Sequence, residues 1–394
     1  MRQPFGLRNC KARNLPVTVM SIDQSHRATR RFLLCGLLLL TAAPAKATTY
    51  FDIGLHGRVQ ASDIVVVARV VDPALALVSV ERVLKGDAPK QITLVAFVDG
   101  FAVPAQRKLL VADARELMFL VKRGGAYAPV QDQYGRMAVI GDELVDSFRA
   151  QPRSLSQTLA SIQRLVALQA RAARSDAEAD AAYVAALQSS DIESQMWALW
   201  KAKDRIKVPS PALAAAVLAS WPTAKKVGPV LGSWNAAGLV ANTVVTWRFQ
   251  RAAPFFAKIL TTSASGDERA WAAMALGGSG DRTYLPVLRR VASGDAHAQA
   301  RALAYNGIMY MLGPDSLGDL RLGAKDRDEH VRARAVSDAY NLLEFGHPEP
   351  RWPPPSNALI AEVRAFLTEM QRDPARSVSD SAKSVLAMIA RHRP

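Results

Sequence analysis

The sequence predicts an α+β multidomain chain, a small amino-terminal β-barrel or sandwich followed by an α-α solenoid, and three observations predict it. Composition shifts from valine to alanine near residue 181, and all seven Trp lie between positions 197 and 352. Before that boundary, β-branched runs alternate with turn formers, as in small all-β domains. After it, one pattern is written twice: Asp295, His297, Arg301 and Ala302 return as Asp328, His330, Arg334 and Ala335, each 33 positions on, and Leu288-Arg289 returns as Leu320-Arg321 after 32. Such periods mark arrays of stacked helix pairs that share one continuous core.

Taken in order, the chain opens with a leader. Arg30 and Arg31 precede the apolar run Phe32 to Leu40, and Thr41 to Ala47 ends in small residues. A basic start, a short apolar middle and a small-x-small ending read as a secretory signal peptide, with cleavage after Ala47. The run is shorter than the about 20 apolar residues a membrane span needs. Arg30-Arg31 is compatible with Sec or twin-arginine export, and Met20 would give a leader of ordinary length. The leader carries +7 of the net charge of +15, which leaves +8 beyond residue 47. That modest, dispersed charge and an export signal disfavour nucleic acid as a partner. Both cysteines, Cys10 and Cys35, lie in the leader. The exported chain is therefore expected to hold no disulfide, Cys nucleophile or thiolate metal site.

Residues 48–150 form the expected β-domain. Asp63 to Asp72 reads as a buried strand, followed by Ala76 to Leu84, Gln91 to Val98, Leu117 to Lys122 and Arg136 to Ile140. The order Ser62-Asp63-Ile64-Val65-Val66-Val67 and then Val80-Glu81-Arg82-Val83-Leu84-Lys85-Gly86-Asp87 resembles the OB-like domains of exported bacterial proteins related to tissue inhibitors of metalloproteinases. In the animal inhibitors a free amino-terminal Cys chelates the protease zinc. The new terminus here would be Thr48, so that activity is not carried over.

Residues 151–180 read as a connecting helix and linker: Leu155, Leu159, Ile162 and Val166 share a helical face, and Ser154 or Ser156 can cap it. Residues 181–394 read as repeats. Helices are expected over Ala181–Gln188, Ile192–Ala202, Pro211–Ala219, Ala253–Leu260, Asp267–Leu276, Tyr284–Ala292 and Asp295–Met311. The glycine cluster Gly277 to Asp281 reads as a turn, with no lysine or preceding strand to make it a phosphate loop. Beyond the proline-rich stretch 348–355, Asn357–Gln371 and Ser379–Arg391 form a last pair that caps the array.

Asp295 and Arg301, and again Asp328 and Arg334, are six residues apart. The carboxylate sits where it caps a second helix, and the guanidinium nearly two turns later can reach the neighbouring repeat. This arrangement resembles HEAT repeats and the related phycobilisome-lyase repeats, whose Asp/Arg ladder recurs at that separation. The resemblance implies that Asp295, Arg301, Asp328 and Arg334 are structural rungs. At Asp267 the matching position is Ala273, which breaks the ladder unless Arg269 substitutes.

No metalloprotease, P-loop, nucleophile-elbow or S-x-x-K signature follows the leader, and no cofactor is implied. His297 and His330 recur in register, but equivalent positions of stacked helices lie about 10 Å apart, too far to share a metal held by bonds of about 2.0 Å. His56 and His392 lie near the ends with no partner motif. Trp197 and Trp200 share a face and read as gap fillers among alanines. Lys201, Lys203, Arg205 and Lys207 form the densest basic cluster. The preferred function is a non-enzymatic scaffold. Its partner surface would include that cluster with Arg289, Arg321, His297 and His330, along a ridge of second helices. The partner is expected to be a protein, with an anionic envelope surface as a second class. The alternative is a hydrolase with a carboxylate site between barrel and array, where Glu143 and Asp146 would face the repeats.

Overall fold

A computed structural model describes residues 54–95, 110–130, 135–145, 153–206, 208–224, 236–343 and 352–391. The leader, its cleavage site, Asp146, Lys207, His347 and His392 lie outside the described residues. Among those described, no helix is long and apolar enough to cross a membrane.

A short helix, α1 (Gly54–Ala61), leads into β1 (Ile64–Asp72). The other strands are β2 (Leu77–Lys85), β3 (Gln91–Thr93), β4 (Arg115–Arg123), β5 (Ala126–Pro129), β6 (Arg136–Ile140), β7 (Glu143–Val145) and β8 (Arg153–Ser154). Strand β1 pairs antiparallel with β2 and with β4. The far edge of β4 is shared, its second half pairing with β5 and its first half with β6. A parallel bridge between Leu94, just past β3, and Tyr127 in β5 joins the remaining edges. Strands β1, β2, β3, β5 and β4 thus enclose their own core of Ile64, Val66, Ala68, Val78, Ile92, Met118 and Leu120. The alternate residues Val65, Val67, Leu117 and Phe119 point outward into the core shared with the helices. Successive strand residues face opposite sides, so an unbroken valine run is what a strand buried on both faces requires.

The structure explains the two halves of the Ser62-Asp63 and Lys85-Gly86 pattern, because they meet. Lys85 Nζ donates to the carbonyls of Val59 at 2.6 Å and Ser62 at 2.5 Å, closing the end of α1. Burial lowers the Lys85 pKa, opposed by the nearby Asp63 carboxylate. Gly86 has φ +71°, and a Cβ there would lie 2.4 Å from the Asp63 carbonyl oxygen. Only glycine meets both demands.

Helices α2 (Leu155–Ala172) and α3 (Asp176–Gln188) follow, each capped by the serine before it. Then come α4 (Ile192–Arg205), α5 (Pro211–Ala219), α6 (Trp221–Ala224), α7 (Ala236–Trp247), α8 (Ala253–Thr262), α9 (Gly266–Ser279), α10 (Leu285–Gly294), α11 (Ala298–Leu312), α12 (Leu317–Gly323), α13 (Glu329–Asn341), α14 (Asn357–Met370) and α15 (Arg376–Arg391). The core outside β1 runs without a break from Leu55 and Phe119 through α2 to Ile389.

Second helices pack side by side in the order α7, α9, α11, α13, α15. Their spacing is small because their side chains are small. The expected turn at Gly277 is instead the last part of α9, and a Cβ on Gly277 would lie 2.1 Å from the Gly307 carbonyl oxygen in α11. Here glycine serves close helix approach, and the chain turns only at Gly280. Trp197 and Trp221 fill gaps between alanines, the first 5.1 Å from Tyr183 and the second 5.2 Å from Phe256, centroid to centroid.

Candidate functional site

The repeated Asp and Arg form a ladder, in a register that letter matching misses. Arg269 forks onto Asp295 at 2.7 and 2.7 Å. Arg301 forks onto Asp326 at 2.8 and 2.8 Å. Arg332 forks onto Asp373 at 2.8 and 3.0 Å. Each Arg also donates to a carbonyl six positions back, of Ser263, Asp295 or Asp326. Each Asp accepts the N–H two positions on, of His297, Asp328 or Ala375. The six-residue spacing is therefore real, and Arg269 does substitute. The second rung, however, is Asp326 with Arg332. Asp328 instead caps α13 by accepting the His330 N–H at 2.9 Å. Arg334 reaches Asp338 one turn on at 2.9 Å, and Asp338 also accepts from Asn306 of α11. Arg332 and Arg334 are two positions apart, about 200° around a helix, so one faces the next rung and the other the α11–α13 seam.

The rungs hold their charges firmly. Arg269 and Arg332 pull the Asp295 and Asp373 carboxyls below the ordinary range. Burial alone would raise Asp326, and the Arg301 guanidinium with the Asp328 N–H more than reverses it. Asp338 goes the other way, since complete burial pushes it up despite Arg334.

The expected basic surface divides. Arg205 is tied to Asp176 at 3.0 Å and to the Ala172 carbonyl at 2.6 Å. Lys203 pairs with Asp204 and lies 4.9 Å over the ring of Trp200, which is exposed while Trp197 is buried. Arg289 forks onto Asp319 at 2.9 Å, and Arg321 lies 5.8 Å over Phe366. His297 leans on Asp267 at 3.6 Å and His330 on Gln299 at 2.8 Å. Lys201 makes no ion pair among the described residues, and it lines a cleft of about 350 Å³ with Tyr183 and Trp197. The ridge of second helices offers little: no residue of α11 is exposed, and on α9 only Asp267 is. Small side chains draw these helices so close that neighbours cover them.

At the junction of strands and helices the expected carboxylate pair is not formed by described residues. Glu143 is exposed on β7. The buried acid there is Glu193 of α4, 3.0 Å from Arg153 and 3.8 Å from His56 of α1. Burial works to raise Glu193, but His56 and Arg153 hold it below the ordinary range. His56 therefore has a partner 137 positions away in sequence, which no local motif signals.

Sequence reasoning also passed over the other edge of the array. Helices α7, α9 and α11 are each followed by a residue with positive φ: Arg248 at 49°, Gly280 at 79° and Gly313 at 61°. Two glycines take that conformation freely, whereas an L side chain there costs about 1–2 kcal/mol. Between these ends lies a cleft of about 280 Å³, lined by Arg248, Gln250, Ser279, Arg282, Tyr310 and Trp352 among others.

The profile of HEAT repeats matches residues 253–339, from the start of α8 to the last turn of α13. The carboxyl-terminal region is an α-helical repeat array. Solved structures similar to the chain include the complex of CpcE and CpcF of phycocyanin lyase from Nostoc sp. PCC7120, at 14% identity and TM-score 0.33, over 62% of this chain and 99% of that one. A designed armadillo repeat protein in complex with the peptide (KR)4 matches at 16% identity and TM-score 0.27, over 59% of this chain and 94% of that one. An engineered protein matches at 16% identity and TM-score 0.26, over 62% and 66%. No curated protein matches the sequence.

Proposed function

We propose that the protein is an exported, non-enzymatic scaffold that binds a protein partner through the surface of its helical array, with the five-strand ring an OB-like barrel docked at one end. The observation that carries this reading is the ladder. The Asp and Arg that recur in register are spent joining repeats, which leaves a preorganised surface rather than a cluster of reactive groups, and preorganised surfaces bind without an ordering cost. The closed order β1, β2, β3, β5, β4 supports the barrel, and a crystal structure in which β3 and β5 are unpaired removes that part. Export rests on the leader alone. Mass spectrometry of the protein from a native host should find Thr48 first, and an intact leader overturns export. An anionic envelope surface is the second partner class. The binding test is capture from envelope extract at low and high salt, followed by titration of the purified partner. A stoichiometric complex that resists about 0.3 M salt, where screening is nearly complete beyond about 6 Å, supports a protein interface. Repeated failure of capture, with turnover of some envelope component instead, overturns the scaffold.

A further inference from the structure

The cleft at the start of the array holds a cation with no counter-charge among the described residues. It lies where α1, which leads into β1, meets α2, α3 and α4, and ligand sites favour such junctions. Trp197 and Lys201, one turn apart on α4, line it together, the ring buried and the lysine half-buried. The other charges that line it are committed: Arg205 forks onto Asp176 and donates to the Ala172 carbonyl, and Asp204 accepts from Lys203. Glu193, two turns before Lys201, already faces Arg153 and His56. The Lys201 ammonium has neither an ion pair nor a hydrogen bond among the described residues. Two amides flank it. The Gln60 side chain makes no hydrogen bond among the described residues, and Gln169 reaches the His56 carbonyl only at 3.5 Å, outside the usual range of about 2.7–3.2 Å. Beneath them the Tyr183 and Trp197 rings, 5.1 Å apart, form an apolar floor that is already packed.

We infer that this cleft is a subsite for a glutamate side chain of the protein partner, its carboxylate paired with Lys201 and its methylenes on the floor of Trp197, Tyr183 and Ala172. A half-buried ammonium is costly to leave unpaired, and an anion brought to it gains a charge-assisted bond about twice as strong as a neutral one. The amides of Gln60 and Gln169 supply N–H donors for the carboxylate lone pairs that one ammonium leaves open. A single uncommitted cation among the described lining residues matches the single charge of a carboxylate rather than the higher charge of a phosphate. The apolar floor suits the longer stem of glutamate over that of aspartate, since each added methylene gains when it leaves water. The volume of about 350 Å³ admits a side chain and its neighbours rather than a folded element. The inference rests on the scaffold reading and names one place where the partner is held.

The test is titration of the purified protein, followed by NMR at the Gln169 and Lys201 backbone N–H groups, with the blocked peptide acetyl-Ala-Leu-Glu-Ala-amide and its Gln and Asp counterparts. The Glu peptide should bind about tenfold more tightly than the Gln peptide, the worth of one hydrogen bond to a charged group, and the preference should shrink as salt rises. The Asp peptide should fall between them. Lys201→Gln should abolish the preference while the melting temperature stays level, because no ion pair is lost. Lys201→Arg should keep the preference to within about threefold, since the charge remains. A lower melting temperature of Lys201→Gln with the preference intact marks a structural lysine and overturns the inference. Equal binding of the Glu and Gln peptides, or binding of neither, overturns it as well, as does a peptide whose only acid is a free carboxyl terminus binding as tightly as the Glu peptide. A protein partner captured equally by wild type and Lys201→Gln removes the cleft and leaves the scaffold standing, whereas no partner for either removes the scaffold.

Discussion

Replacing Arg301 by alanine tests whether the ladder holds the array together. The Arg301 and Asp326 side chains are 4% and 9% exposed, so their fork is closed to solvent on both sides. Breaking a buried ion pair by deleting one partner costs about 3–5 kcal/mol, because the other charge is left buried. Asp326 would keep the Asp328 N–H at 2.8 Å, which places the expected loss near the lower end, about 3 kcal/mol. A control is built into the same protein. Arg289 forks onto Asp319 with similar geometry, yet its side chain is 53% exposed, and Arg289→Ala should cost only about 1 kcal/mol. Denaturant midpoints for both variants, with Asp326→Asn completing a double-mutant cycle, give the comparison, and a coupling of about 2 kcal/mol is expected. The reasoning fails if Arg301→Ala costs no more than Arg289→Ala, since geometry rather than burial would then set the strength of a rung.

Four other outcomes follow from the same structure. Asp295, Asp326 and Asp373 have folded pKa values below the unfolded one of about 3.9, so their stabilisation is complete above that pH and is lost as pH falls through the folded values; denaturant midpoints that do not move below about pH 4 would contradict this. Asp338 has the opposite sign, its raised pKa removing stability as pH rises above about 4, so the stability difference between wild type and Asp338→Asn should shift toward the variant as pH rises, and a difference that does not change with pH would refute it. Gly86→Ala should cost about 2–4 kcal/mol from left-handed strain and the clash with Asp63, and an unshifted melting curve would show that the backbone gives way. Glu193→Ala should cost about 3 kcal/mol and separate barrel and array melting in calorimetry, where one unchanged transition would count against the junction.

How much of this was readable beforehand depended on whether a signal was local. Helix pairs were readable because alanine-rich periodicity and serine caps act within a turn or two: Ser154, Ser175, Ser210, Ser265 and Ser356 all accept hydrogen bonds from the helices they begin. The ladder was half readable. Asp326, Asp328, Arg332 and Arg334 offer two rungs at the same spacing, and only burial and helical phase choose between them. Identity at a period of 33 favoured the wrong pair, while the structural periods are 32 from Arg269 to Arg301 and 31 from Arg301 to Arg332. The buried Glu193, His56 and Arg153 group was unreadable, because three elements far apart in sequence supply it. The cleft at Arg248 left one trace, an arginine where the next two repeats have glycine, visible only once the helix ends are aligned.

The ladder has a mechanical corollary. Its rungs sit at the amino-terminal edge of the second helices, and the Arg248 cleft lies at the opposite edge, one helix length away, about 22 Å for the 15 residues of α11 at 1.5 Å each. Forked ion pairs pin the amino-terminal edge, so the array should flex like a fan about its pinned side. A small change of angle between neighbouring repeats then becomes its largest displacement at the cleft.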